Sequence, residues 1–189
     1  MCVIRSMDGV KMMGKAVAFT GHRPEALPFG ADMDSDSYYD FELVLWKVID
    51  QSIAAGYDTF YCGGARGVDL VCGEIIAANK LSGLRYLKLI CAIPFKQQAD
   101  KWSYLWRLRY QEVLKAADRI KLISPEYHRG CYHARNRYMV DNADLVIAVY
   151  DGSSSGGTAY TVDYARKQGK KIIIINPFTL EQTHVPAAT

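Results

Sequence analysis

The sequence has no long apolar run, no marked excess of one charge and no cysteine pair at a metal-binding spacing. No apolar stretch approaches the ~18 residues that a membrane helix needs, so we expect no membrane association. Lys and Arg number 23 and Asp and Glu number 20, a formal net charge of +3 that is too small for a dedicated nucleic-acid binder. The five cysteines follow no CxxC pattern, which favours reduced thiols and a cytoplasmic location.

The composition is typical of one folded domain. Hydrophobic residues make up 50% of the 189 residues and charged residues 23%, which excludes disorder and fibrous repeats. Two separate cores would each be close to the lower size limit for independent stability. We predict an N-terminal extension over residues 1–14, a single domain over 15–178 and a polar C-terminal tail over 179–189.

Short β-rich runs alternate with stretches of helical periodicity along the chain. The predicted strands cover residues 16–20, 57–62, 86–93, 119–124, 145–150 and 171–176. The predicted helices cover residues 41–53, 67–80, 97–117, 133–142 and 158–168. Several strands are nearly continuous in Val and Ile, as strands buried on both faces are. The pattern predicts an α/β fold of three layers, with a mainly parallel sheet and helices on both faces.

A glycine-rich segment follows the second predicted strand, at the edge where parallel sheets bind ligands. Gly63 and Gly64 permit backbone conformations that other residues rarely adopt, and the next helix directs free N–H groups toward the same edge. Arg66 is a candidate phosphate donor. Asp69 is suited to accept from a ribose hydroxyl or to cap the helix. An ordinary glycine turn with a capping Asp explains this segment equally well.

A second glycine-rich segment follows the fifth predicted strand. Gly156 and Gly157 allow close backbone approach, and Thr158 is suited to cap the next helix or to bind a phosphate oxygen. Neither segment matches the P-loop or the GxGxxG fingerprint, which disfavours an ordinary ATPase or dinucleotide dehydrogenase. Two such helix starts at one sheet edge predict a joint site for a phosphate-bearing ligand.

Two further groups of polar residues are expected at this edge. Gly21, His22 and Arg23 directly follow the first predicted strand. Arg135 and Asn136 lie on the helix before the fifth strand, where the alternative is a surface helix with ordinary charges. His128, Cys131 and His133 match no strong metal-binding spacing, so we predict an ordinary loop and no metal site.

An aromatic stripe at helical spacing is formed by Trp102, Trp106 and Tyr110. Such a stripe most often packs in a core. Contact with another subunit is the second interpretation and stacking on a base the third.

Taken together, these segments resemble the SLOG superfamily, which contains DNA-processing protein A, the Lonely Guy phosphoribohydrolases and the YpsA-like proteins of undefined function. The resemblance is carried by residues 63–69, 134–139, 143–149 and 155–159, and residues 20–24 and 150–152 favour the YpsA-like branch. It implies a Rossmann-like domain, often in a homo-oligomer, whose cleft holds a nucleotide or an ADP-ribose-like ligand. No other cofactor is implied.

The sequence departs from the Lonely Guy pattern at one informative position. In those enzymes the Glu of a PGGxGTxxE motif acts on the N-glycosidic bond, whereas Thr161 occupies the corresponding position here. Asp163 lies two residues further on, on nearly the opposite helix face. We therefore predict binding or sensing of a nucleotide-derived phosphorylated ligand. The alternatives are a nucleoside-5'-monophosphate N-glycosidic hydrolase and, third, a single-strand DNA-processing factor.

Overall fold

The computed structural model describes residues 14–187, which form one sheet flanked by helices. The strands are β1 (Lys15–Gly21), β2 (Tyr57–Cys62), β3 (Lys88–Ile93), β4 (Arg119–Leu122), β5 (Leu145–Val149), β6 (Lys171–Ile175) and β7 (Gln182–Val185). The α-helices are α1 (Asp36–Ala54), α2 (Val68–Leu81), α3 (Tyr104–Ala116), α4 (Cys131–Asp141) and α5 (Gly157–Lys167), and a short 3-10 helix covers Pro24–Ala26.

The sheet order is β4-β3-β2-β1-β5-β6-β7. The first six strands run parallel, and β7 pairs antiparallel with β6. One core lies between the sheet and helices α1, α2 and α3, and a second lies between the other face and helices α4 and α5. The predicted three-layer α/β fold is therefore confirmed. The strand order reverses between β1 and β5, which is the kind of position where open sheets bind ligands.

Helix α1 shows how the sequence specifies these elements. Ser35 caps its first turn by accepting a hydrogen bond from the Tyr38 N–H at 3.4 Å. Phe41, Leu45 and Val48 repeat at helical spacing and are fully buried against the sheet. Among residues 14–187, no helix has both the length and the apolar content needed to cross a bilayer.

Helix α3 begins seven residues later than its predicted start at residue 97. Residues 95–102 instead form consecutive turns, in which the Gln98 N–H donates to the Phe95 carbonyl and the Trp102 N–H to the Ala99 carbonyl. Ala99 and Trp102 pack on the core from these turns, so the segment has apolar spacing like that of a helix without being one. The apolar spacing of residues 97–103 therefore correctly predicts burial, but the predicted helical backbone is wrong for this segment.

Strand β7 lies within the predicted polar tail, 179–189. Its residues extend the sheet at the β6 edge, with His184 opposite Ile173 and Thr183 opposite Ile174. Three of its four side chains are exposed, so it has none of the apolar alternation that marks a half-buried strand. Of the predicted N-terminal extension, residues 1–13 lie outside the described part of the chain.

Candidate functional site

A cavity of about 410 Å³ opens at the carboxyl edge of the sheet, above β1 and β5. Its walls come from the end of β1, the start of α2, one face of α4 and the start of α5. Most of the predicted site residues line it, namely Gly21, His22, Arg23, Asp69, Arg135, Asn136, Gly156, Gly157 and Thr158. The topology thus brings together side chains that are more than 130 residues apart in the sequence.

Gly63, Gly64 and Arg66 do not line this cavity but lie behind or beside it. A Cβ on Gly63 would lie only 1.3 Å from Nη1 of Arg135, so a glycine is needed for that guanidinium to pass. The carbonyl of Gly64 accepts a hydrogen bond from Gln98 at 3.2 Å. Arg66 forms an ion pair with Glu25 at 2.8 Å. These residues support the wall, so the first glycine segment contributes Ala65 and Asp69 to the lining rather than its glycines or Arg66.

Arg135 and Asp69 form a buried ion pair at the cavity wall. Nη1 of Arg135 lies 3.0 Å from Oδ2 of Asp69, and the two side chains are 5% and 6% exposed. Oδ2 of Asp69 also accepts the Ala65 N–H at 3.3 Å, which closes the turn before α2. Nε of Arg135 is buried and has no hydrogen-bond partner among residues 14–187. The guanidinium is therefore fixed in position while part of its donor capacity is unused.

Arg23, which is partly buried, adds a second guanidinium to the same cavity. Burial lowers the pKa of Arg23, Asp69 opposes this shift, and the positive charges of Arg135 and Arg66 reinforce it. Among the residues that line the cavity, Arg23 and Arg135 share the single carboxylate of Asp69, so positive charge exceeds negative charge in its lining. A bound anion would offset this excess.

The start of α5 contributes backbone donors to the cavity. Gly156 precedes the helix with a φ of +103°, a conformation that glycine adopts without strain. Within the described part of the chain, no side chain caps this helix, so its first amides have no intrahelical or side-chain acceptor. The start of α2 also has no side-chain cap among residues 14–187, but its Val68 N–H contacts the His22 carbonyl at 3.4 Å. Because Gly156, Gly157 and Thr158 line the cavity, the helix start that faces it with a run of backbone amides is that of α5.

His22 lines the cavity, and Asp151 lies next to it outside the lining. Nε2 of His22 lies 3.1 Å from Oδ1 of Asp151, although this contact does not have hydrogen-bond geometry. The Ser153 N–H donates to Asp151 at 2.9 Å. This hydrogen bond, and to a smaller extent His22, lowers the pKa of the Asp151 carboxyl. Asp151 is therefore a carboxylate anion beside the imidazole of His22.

Asn136 has a structural contact that the sequence does not reveal. Its Nδ2 donates to Oγ1 of Thr161 at 2.7 Å, and that hydroxyl donates to the Gly157 carbonyl at 2.7 Å. This chain ties α4 to the first turn of α5. Thr161, at the position of the Lonely Guy glutamate, is 1% exposed and engaged in packing. Asp163 is exposed on α5 beside Arg166, outside the cavity.

Tyr132 and His133 also line the cavity, and the sequence analysis did not assign them there. Both lie one helical turn before Arg135 and Asn136, on the same side of α4, so the spacing was a usable signal. His133 stacks on Tyr160 with 4.0 Å between ring centroids. His128 contacts Ser124 at 2.8 Å, and Cys131 is fully buried, so these three potential metal ligands have separate surroundings.

The aromatic stripe belongs mainly to the core. Trp106 and Tyr110 are each 8% exposed and pack against the sheet and α2. Trp102 lies in the turns before α3, with its ring centroid 5.5 Å from that of Tyr110. Core packing, the first of the three interpretations, is confirmed for Trp106 and Tyr110.

Comparison with known proteins gives the family. The model of the YspA SLOG family matches residues 17–180, from β1 to just beyond β6. The chain belongs to the YspA SLOG family. This confirms the resemblance to the SLOG superfamily and its YpsA-like branch, and the matched range includes every residue of the cavity.

Relatives of this YspA SLOG protein include proteins from several bacteria. A UPF0398 protein of Halalkalibacterium halodurans is 26% identical over 177 residues, covering 88% of this chain and 90% of the relative. The uncharacterized SPbeta prophage-derived protein YoqJ of Bacillus subtilis is 32% identical over 123 residues, covering 57% of this chain and 69% of the relative. A UPF0398 protein of Bacillus cereus strain G9842 is 25% identical over 158 residues, covering 82% and 85%.

Proposed function

We propose that this YspA SLOG protein binds, as a sensor or carrier, a nucleotide or nucleotide-derived phosphorylated ligand in the cavity above β1 and β5. One observation carries the proposal: two guanidinium groups, those of the partly buried Arg23 and the buried Arg135, line the same cavity as the uncapped start of α5. Guanidinium groups and free helix amides are the donors that proteins use for phosphate.

The charge balance supports an anionic ligand over a neutral one. Arg135 uses part of its capacity on Asp69, yet its Nε has no partner within residues 14–187. Partial burial lowers the pKa of Arg23, and Asp69 is the carboxylate that opposes this shift. A phosphate would accept from both side chains and from the α5 amides, and Thr158, 7% exposed at the cavity wall, adds a hydroxyl.

Hydrolysis of the N-glycosidic bond is less well supported than binding. This reaction needs a carboxylate that stabilises the developing positive charge or activates water. Of Asp69, Asp151 and Asp163, only Asp69 lines the cavity. Its carboxylate is already engaged in an ion pair with Arg135, with Oδ2 3.0 Å from Nη1. Thr161 cannot supply a carboxylate. The arrangement therefore favours a ligand that is bound and released without being cleaved.

Calorimetric titration with AMP, ADP-ribose and ribose 5-phosphate tests the proposal. We expect at least one of them to bind, and Arg23→Gln to weaken that binding by about tenfold or more, because a charge-assisted contact is lost. Arg85→Gln is the matched control, since Arg85 is exposed in the turn before β3, away from the cavity. The proposal is wrong if none of the three ligands binds, or if both variants bind as the unmodified protein does. Release of free adenine from AMP would indicate turnover instead.

A further inference from the structure

A second cavity, of about 500 Å³, adjoins the first at the same edge of the sheet. It lies beyond the carboxyl ends of β3 and β4, and Phe95, Trp102, Tyr127 and Tyr132 form its aromatic wall. Tyr132 lines both cavities. One side chain therefore separates the cationic pocket from an aromatic one.

Three of these rings form a rigid cluster with exposed faces. The Phe95 centroid lies 5.3 Å from that of Tyr127 and 5.8 Å from that of Tyr132, at interplanar angles of 75° and 79°. Phe95 is 8% exposed, whereas Tyr127 is 65% exposed and Tyr132 is 36% exposed. A buried ring thus supports two phenol rings that remain open to solvent. Exposed aromatic rings on such a support are suited to stacking against a planar ligand.

The arginines of the first cavity lie close enough to the aromatic cluster for their charges to act on Tyr132. Burial raises the pKa of Tyr132, while the positive charges of Arg23 and Arg135 act in the opposite direction. At the other end of the cluster, the exposed side chains of Gln97, Asp100 and Lys101 provide donors and acceptors around the second cavity. A ligand that crosses Tyr132 meets cationic groups first, then aromatic faces, then a polar rim. A nucleotide matches this order, because its anionic phosphate is joined through a sugar to a planar base whose edge carries donors and acceptors.

We propose that the cavity formed by Phe95, Trp102, Tyr127 and Tyr132 binds the base of a nucleotide whose phosphate occupies the arginine-lined cavity. This inference rests on the proposed function and adds a base-binding subsite to it. The base stacks on Tyr127 or Tyr132, and the polar rim contacts its edge. The anion site recognises phosphate with or without a base, whereas the aromatic cavity distinguishes a nucleotide from a sugar phosphate.

Titration of the same protein with AMP and with ribose 5-phosphate tests the subsite, because the two probes differ in the base. We expect AMP to bind more tightly than ribose 5-phosphate. We expect Tyr127→Ala to weaken AMP binding about tenfold and to leave ribose 5-phosphate binding unchanged, and Tyr127→Phe to retain AMP affinity. Tyr127 is exposed enough for its truncation to preserve the fold. Tyr86→Ala removes an exposed ring that lines neither cavity and is the matched control.

The possible outcomes separate the subsite from the proposed function. If AMP and ribose 5-phosphate bind equally and Tyr127→Ala changes neither affinity, the anion site stands and the base subsite is refuted. If Tyr127→Ala weakens both probes alike, Tyr127 acts on the anion site and the base subsite is again refuted. If neither probe binds the unmodified protein, the proposed function and the subsite that rests on it both fail. A loss confined to AMP, rescued by Tyr127→Phe, supports the subsite.

Discussion

At the scale of single residues, the buried pair of Arg135 and Asp69 determines the electrostatics of the site. Two buried charges 3.0 Å apart stabilise each other, but their removal from water offsets much of that gain. Such a pair is therefore weak evidence for stability by itself. In the proposed function, the pair fixes one guanidinium in a cavity that also contains Arg23, where an anion can reach both groups.

Arg135→Met alone should lower the free energy of unfolding by about 3–5 kcal/mol, because Asp69 remains buried without its partner. Asp69→Leu should cost a similar amount, since it leaves clustered arginines unopposed. The double variant Asp69→Leu with Arg135→Met should recover most of the loss, because apolar groups of similar size replace both charges. Urea unfolding of the four proteins measures this coupling. Strictly additive losses would contradict it, and phosphate-ligand binding should remain weak even in the recovered double variant.

At the scale of elements, the contact between α4 and α5 sets the position of the proposed anion site. The hydrogen-bond chain from Asn136 through Thr161 to the Gly157 carbonyl fixes the first turn of α5 against α4. Thr161→Val keeps the side-chain shape but removes the hydroxyl, which leaves the buried Asn136 amide without its 2.7 Å partner. We expect a loss of about 1–3 kcal/mol in the free energy of unfolding and weaker binding of the phosphate ligand.

Thr161→Ser is the control for this contact, because it keeps the hydroxyl and removes only one methyl group. It should lose about 1 kcal/mol, the contribution of one buried methyl group, and it should retain ligand affinity. Thermal unfolding and calorimetric titration of the two variants provide the comparison. If Thr161→Ser loses as much ligand affinity as Thr161→Val, then packing of the methyl group, rather than the hydrogen bond, holds the start of α5.

At the scale of the whole molecule, the sequence predicts the elements whose residues are buried. It misses the strand whose side chains are exposed and the side-chain contacts between separate elements. Strands such as β5 are recognisable because both sheet faces are covered, so every residue from Leu145 to Val149 is apolar. Strand β7 is not, because its side chains are mostly exposed. Arg23 is predictable from its position just after β1, and Arg135 from its place on one face of α4. The pairing of Arg66 with Glu25, and of Asn136 with Thr161, depends on side-chain contacts between separate elements, which spacing in one sequence does not specify.

Buried tyrosines distributed over the fold predict a loss of stability in alkali. Burial raises the pKa of Tyr38 to about 12, and burial also raises the pKa of Tyr57, Tyr61 and Tyr110. A tyrosine in the unfolded chain loses its proton near pH 10, whereas the folded protein retains it. The stability that these groups contribute is therefore complete below pH 10 and is lost as the pH rises through the native pKa values, by at most about 1.4 kcal/mol per proton and pH unit.

Urea unfolding at intervals from pH 8 to about pH 12 should therefore show a falling free energy of unfolding above about pH 10. Tyr38→Phe should make this decline shallower, because it removes the proton that the folded protein retains to about pH 12. Tyr39→Phe, which removes the hydroxyl of a 56% exposed neighbour, is the matched control and should decline as the unmodified protein does. An equal slope in all three proteins would show that Tyr38 ionises equally readily in the folded and unfolded chains. The packing of Tyr38 against Phe29 would then not exclude water from its phenol group.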